Sequence, residues 1–332
     1  MSEVDNIGTM AEKLANKVFK NFGWNKTGGW NFNWTCEKIK EHKKEQVKTH
    51  PADVVFHYAD PYSSKNIYLH TDLKSYGTNT VNNMKLEPII NSLGQQIECA
   101  EISQDWKDKY LIKNKSYEIH GLLFIYNHDK DAEVDFTSKL ANLKYKEIKV
   151  PQNKKVFILD PKDIGWITDI SNQISIFKSD NEIKPDFSFF YDQRTYKAID
   201  QFQRIATIEI LKSNYIIIKS SKKSKIDNLK IFYRGLGETE NEFQYLLDTL
   251  RHNGFLECTD NNITIYFYHE CHSNSSLNFT NSKINYINKF LNTETEFSID
   301  IQTCIESITV EALLHVDNSA TYKENIIGLG ER

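Results

Sequence analysis

Two short β-rich runs, Ala52–Tyr58 and Asn66–Leu73, are separated by the turn formers Asp60, Pro61, Ser63 and Ser64. This spacing predicts an antiparallel hairpin, and the hairpin limits what the rest of the chain can build. Before it, Met10, Leu14, Val18, Phe19 and Phe22 form a helical stripe that Gly23 closes. After it, Leu86, Ile89, Ile90, Leu93, Ile97 and Ala100 fall on one face of a helix expected over Asn82–Ser103. The apolar run Glu118–Tyr126 is short enough to be a buried strand, and Lys155–Leu159 is another, before a helical PKDIGWITDISNQI. Trp30, Phe32 and Trp34 alternate with polar residues as a further strand, and EKIKEHKKEQVK follows as a basic helix or loop.

The hairpin carries charges where a hairpin concentrates them. Asp53 stands near the start of its first strand, and Asp72-Leu73-Lys74 closes its second. The start of one antiparallel strand lies opposite the end of the next, so Asp53 and Asp72 are expected at the same end of the sheet. Alternation puts Asp72 and Lys74 on one face. The acid-x-lysine triplet is uninformative by itself, since six occur, beginning at Glu41, Asp72, Asp105, Glu147, Asp160 and Glu182. Only the one at Asp72 closes a strand paired with another aspartate-bearing strand. Two crowded carboxylates and an ammonium are costly unless a cation offsets them. Mg²⁺ suits this inventory because it takes hard oxygen ligands, often one or two protein carboxylates, and keeps room for phosphate. The bland alternative is a structural ion-pair cluster at a sheet edge.

Composition excludes several other classes. The 332 residues are 39% hydrophobic and 12% aromatic, which is enough for packed cores and long enough for two domains. A formal net charge of −4 argues against a surface that grips nucleic acid everywhere. The first residues carry charges where a signal peptide needs an apolar core, and no apolar run reaches the ~20 residues of a membrane span, so a cytoplasmic protein without membrane contact is expected. Five scattered cysteines, Cys36, Cys99, Cys258, Cys271 and Cys304, read as buried or free thiols, with no CxxC pair to suggest a zinc knuckle. His42, His50 and His57 lack clean ligand spacing and read as packing, capping or phosphate-contacting residues.

These residues and their order resemble the PD-(D/E)xK nuclease superfamily, the restriction-endonuclease-like fold. The resemblance implies an α/β core, a mixed sheet flanked by helices, followed here by an α+β C-terminal domain. It implies Asp53 and Asp72 as metal-binding acids, Leu73 as a carbonyl ligand, and Lys74 as the catalytic lysine. Glu12 matches a first-helix glutamate that joins the metal site directly or through water. One departure is Ala52, which separates Pro51 from Asp53. The implied activity is hydrolysis of DNA phosphodiesters by a metal-activated water, with Mg²⁺ as cofactor and Mn²⁺ as substitute. The stretches HPADVVFHY, HTDLKSYG and HGLLFIYNHD are similar to nuclease subunits of bacterial two-gene anti-phage systems. That likeness implies DNA and a protein partner encoded nearby, in a homo- or hetero-oligomer. Alternatives are a catalytically silent nuclease-fold module for DNA binding or complex assembly, and a stand-alone site-specific restriction endonuclease.

The expected division is a nuclease-like domain over 1–178 and an α+β accessory domain over 179–332. Lys38, Lys40, Lys43, Lys44 and Lys48 are candidate DNA contacts beside the site, against the simpler reading of a solvated face. Lys219, Lys222, Lys223 and Lys225 form a second basic loop. In the C-terminal half, helices are expected at Tyr196–Lys212, Glu238–Arg251 and Lys283–Leu291. Strands are expected at Tyr215–Lys219, Leu229–Tyr233, Ile263–Tyr268, Phe297–Ile301 and Ile308–Leu314. His269-Glu270-Cys271-His272 falls in a loop without further obvious ligands, and Arg234-Gly-Leu-Gly-Glu reads as a turn.

Overall fold

A computed structural model of the chain describes residues 9, 12–42, 48–127, 136–180, 182–183, 187–192, 200–221, 227–257, 262–291 and 296–315. The chain divides into two compact units. One takes residues up to Ser171 together with Ile205–Ile208, and the other takes Asn172–Arg204 and Glu209–Asp317.

The first unit is built on a five-stranded sheet. Its strands are β1 (Asn25–Thr27), β4 (Val54–Ala59), β5 (Asn66–Tyr76), β6 (Tyr117–Asn127) and β7 (Val156–Leu159), in the order β1-β4-β5-β6-β7. β4 and β5 are the expected antiparallel hairpin, with Val54 opposite Thr71 and Ala59 opposite Asn66. β6 then runs parallel to β5 and β7 parallel to β6, so the sheet is mixed. A separate pair, β2 (Phe32–Thr35) and β3 (Thr49–Ala52), leads directly into β4.

Both faces of the sheet are covered, which is why β6 is apolar along nearly its whole length. One face holds the Leu86–Ile102 helix, whose Leu93, Ile97 and Ala100 share a buried cluster with Ile119, Leu123 and Ile125 of β6. Side chains of this kind each contribute roughly 1.5–3 kcal/mol when fully buried. The first helical stripe buries Leu14, Val18, Phe19 and Phe22, winding as a π-turn over Leu14–Val18 and a 3₁₀ turn over Phe19–Phe22. Gly23, at a φ of 77°, ends it as expected, and Phe19 stacks on Trp24 at 4.5 Å between ring centroids.

The helix expected over Asn82–Ser103 is two helices, Thr78–Asn83 and Leu86–Ile102, with Met84 and Lys85 extended between them. Pro88 explains the break: its ring would clash with the carbonyl of residue 84 in a continuous helix, yet it is tolerated in a first turn. At Gly94 the longer helix approaches the chain so closely that a Cβ would lie 2.5 Å from the Lys149 carbonyl oxygen. Gly94→Ala is therefore expected to destabilise the unit by about 1–3 kcal/mol, against the gain in helix propensity alanine normally brings. A urea midpoint that rises in this variant would refute the close-approach argument.

The second unit is α+β. Its sheet runs β13-β12-β11-β10-β8-β9, from β8 (Ser188–Phe190), β9 (Phe202–Gln203), β10 (Tyr215–Ser221), β11 (Asp227–Tyr233), β12 (Asn262–Phe267) and β13 (Thr309–Ala312). The helices Glu240–His252, Ser275–Phe290 and Glu296–Ser307 supply Leu247, Leu250, Tyr286, Ile301 and Ile305 to the core beside Ile231 and Ile265. Two expectations fail here. Phe297–Ile301 is part of a helix, because Ile301, Cys304, Ile305 and Ile308 continue the apolar spacing of a buried helical face. Within the expected Tyr196–Lys212 helix, Phe202–Gln203 is a strand paired with β8, and among the described residues only Ile208–Leu211 is helical. Phe202 packs against Phe190 and Phe255, and that aromatic contact overrides the local pattern. Residues 193–199 lie outside the described residues, as do Lys222, Lys223 and Lys225.

Candidate active site

The hairpin register decides what meets at its open end. Val54 pairs with Thr71, so one further step places Asp53 across from Asp72. Asp53 sits in the bend between β3 and β4, where its carbonyl accepts the Asn31 N–H at 2.9 Å. Its carboxylate accepts the backbone N–H of Leu73 at 2.8 Å. The side chain thus takes the place a strand partner would have held. In an extended strand a residue's N–H and C=O point to the same edge, so the Leu73 carbonyl faces the Asp53 edge as well.

Asp72 and Lys74 lie on one face of β5, with Lys74 Nζ 2.7 Å from Asp72 Oδ1. Their side chains keep 13% and 30% of their exposure, so the pair is sheltered but reachable from solvent. Burial, and after it the charge of Asp72, pushes the Asp53 carboxyl up to about 7, while the Leu73 N–H and Lys74 pull the other way. Burial also works against the Lys74 ammonium, but Asp72, and then Asp53, outweigh it and hold its pKa above the ordinary lysine value. Two carboxylates thus share one ammonium, and the imbalance is expressed as the raised pKa of Asp53.

That donor set fits a divalent cation. Two carboxylates and a main-chain carbonyl are hard oxygen ligands, and a second positive charge would replace the proton. Mg²⁺ and Mn²⁺ both accept such ligands.

Sequence reasoning missed His70, two residues before Asp72 on the same face. It is fully buried, accepting the Trp106 indole N–H at Nδ1 (3.2 Å) and facing the Gln96 Oε1 with Nε2 (2.9 Å). Burial lowers its pKa to about 4, so it is a neutral, fixed tautomer that braces the strand beneath the carboxylates. The alternation that located Lys74 also points to it.

The remaining expected residues have other partners. Glu12 forms an ion pair with Lys26 of β1 and accepts a hydrogen bond from Asn16 at 2.8 Å. The Lys26 hydrogen bond lowers its pKa. Lys38 pairs with Glu98 at 2.6 Å and Glu41 at 3.3 Å. Lys40 and Lys48 are exposed, and Lys43 and Lys44 lie outside the described residues.

No curated protein and no solved structure matches this chain. No described helix is long and apolar enough to cross a membrane. Residues 1–163 match the family model described as the GAPS4 protein PD-(D/E)XK nuclease domain, a family of a defence system. The match covers the mixed sheet and the Asp53, Asp72 and Lys74 cluster, and it makes this part of the chain similar to PD-(D/E)xK nuclease domains.

Proposed function

We propose that the first unit is a divalent-metal-dependent endonuclease acting on DNA in defence against phage or other foreign DNA, in the cytoplasm and with a protein partner encoded nearby. The observation that carries this reading is the convergence of Asp53, Asp72 and Lys74 at one end of the β4–β5 hairpin, where two sheltered acids face one ammonium. Asp53, Asp72 and the Leu73 carbonyl would hold Mg²⁺ or Mn²⁺. When bound, the cation supplies Lewis-acid polarisation of the phosphodiester and a more acidic water.

The side chains of the chain divide the remaining work. Lys74 offsets the negative charge that grows on the phosphate and orients the attacking water. Asp72 fixes the Lys74 ammonium, and His70 holds the strand that carries both. Glu12 has the least in its favour as a third acid, since Lys26 already neutralises it. Of the candidate lysines that are described, Lys40 and Lys48 are exposed and free of the Glu98 pairing that holds Lys38, which suits them to meet a DNA backbone. A silent DNA-binding or assembly module would have no use for an intact pair of acids and a lysine aimed at one point, which disfavours that alternative.

The test is cleavage of supercoiled and linear DNA, with Mg²⁺, Mn²⁺ or chelator, with and without the product of the neighbouring gene. Cutting is expected with either metal, none with chelator, and none from Asp72→Asn. Wild-type protein that never cuts, with Asp72→Asn equally protective in cells, would overturn the nuclease reading and favour the assembly module.

A further inference from the structure

We propose that Cys36, His42, His50 and Cys99 bind one zinc ion in a closed structural site of the first unit. All four side chains are buried, and one ligand atom from each lies within 4.8 Å of every other. Cys36 and His42 follow β2, His50 is in β3, and Cys99 is in the Leu86–Ile102 helix. No other function described above uses them.

Four of the six spacings among these ligand atoms match the edges of a zinc tetrahedron, and the other two lie within 4.8 Å. Zinc binds sulfur at about 2.3 Å and nitrogen at about 2.0–2.1 Å, so tetrahedral edges come to about 3.8 Å between sulfurs, 3.4 Å between nitrogens and 3.5 Å between the two kinds. Cys36 Sγ and Cys99 Sγ are 3.8 Å apart, and His42 Nδ1 and His50 Nε2 are 3.4 Å apart. His42 Nδ1 is 3.4 Å from Cys36 Sγ and 3.5 Å from Cys99 Sγ. A disulfide would need the sulfurs at about 2.05 Å.

Hydrogen bonding alone accounts poorly for this cluster. His42 Nε2 lies 2.9 Å from Glu98 Oε2, so that nitrogen carries the proton and Nδ1 presents a single lone pair to the centre. Three atoms approach that one lone pair, and it can accept from one of them. A cation at the centre satisfies all four at once. The Glu98 contact is the carboxylate–histidine support that zinc ligands commonly have, and Lys38 in turn steadies Glu98. Around Cys99, burial pushes the thiol up to about 11, while the backbone N–H groups of Glu37 and Lys38 favour the thiolate. Zinc binding releases the two thiol protons, and two thiolates with one Zn²⁺ make a neutral centre, the form that is least costly to bury. Four protein ligands leave no open position, which marks the site as structural.

The ion would clamp β3 to the Leu86–Ile102 helix three residues before Asp53. Trp34 extends this support, its ring 5.6 Å from His50 and 5.1 Å from His70.

The experiment is metal analysis of the full chain purified without chelator. About one zinc per chain is expected, unchanged in Asp72→Asn and reduced to under about a tenth in Cys99→Ser. Because Cys99→Ser can fail to fold, the wild-type protein is also exchanged with Co²⁺. Sulfur-to-cobalt charge-transfer absorption with intense tetrahedral visible bands is then expected. A folded, zinc-free wild type would overturn the proposal, as would a Cys36–Cys99 disulfide, zinc retained by folded Cys99→Ser, or cobalt spectra without the thiolate band. None of these readouts depends on nuclease activity.

Discussion

Lys74→Ala is expected to lower the rate of metal-dependent DNA cleavage by about 10²–10³-fold, the cost of removing one preorganised positive donor from a developing oxyanion. The same variant should bind Mg²⁺ at least as tightly as wild type. The reason is on the face of β5: the ammonium sits 2.7 Å from Asp72 and competes with any cation for that carboxylate. Asp72→Asn is expected to behave differently, losing cleavage and metal binding together. Single-turnover rates at saturating metal, with affinity from calorimetry, separate the two cases. If Lys74→Ala cuts at the wild-type rate, the lysine is only a structural counter-ion and the assigned mechanism fails.

The second large effect concerns pH. In the folded, metal-free protein the Asp53 carboxyl is pushed up from an ordinary aspartate's 3.8 to about 7. Between those values the native state holds a proton that the unfolded chain has lost, so each step up in pH destabilises the native state. At about 1.4 kcal/mol for every pH unit separating the two values, the loss by pH 8 is on the order of a few kcal/mol. His70 acts with the opposite sign: its pKa, lowered to about 4 from 6.5, makes the native state gain stability as pH rises through that range. The comparison that isolates the carboxylate is therefore wild type against Asp53→Asn, in chelator, from pH 5 to 8. The stability difference should move steadily in favour of the variant. Mg²⁺ should stabilise wild type more at pH 8 than at pH 6, and binding at pH 6 should release a proton. A pH-independent difference between the two proteins would show that Asp53 ionises normally and that the metal-free site is not strained.

Much of the nuclease unit was legible because its signals are local. The β4–β5 hairpin follows from two β-rich runs and a turn, and once it forms, its register brings Asp53 to Asp72. The failures have local physical causes too. Pro88 separates two helices where one was expected over Asn82–Ser103, and at Phe297 a β-branched, aromatic opening concealed a helix whose buried face lies further on. The cysteine and histidine cluster was illegible for a different reason. Cys36, His42 and His50 show no conventional spacing, and Cys99 reaches them only because the Leu86–Ile102 helix packs on the sheet. Glu12 shows the reverse problem: its sequence position invites an acid's role, while Lys26 of β1 takes the carboxylate.

The Leu73 amide gives the site its own spectator. Its proton is committed to the Asp53 carboxylate, so its resonance reports the charge on a group that has no convenient signal of its own. As Asp53 loses its proton that hydrogen bond becomes charge-assisted and shorter, moving the amide downfield. A cation drawing on the same carboxylate would move it again. One backbone position in the middle of the acid-x-lysine motif would then register whether the site is protonated, ionised or loaded.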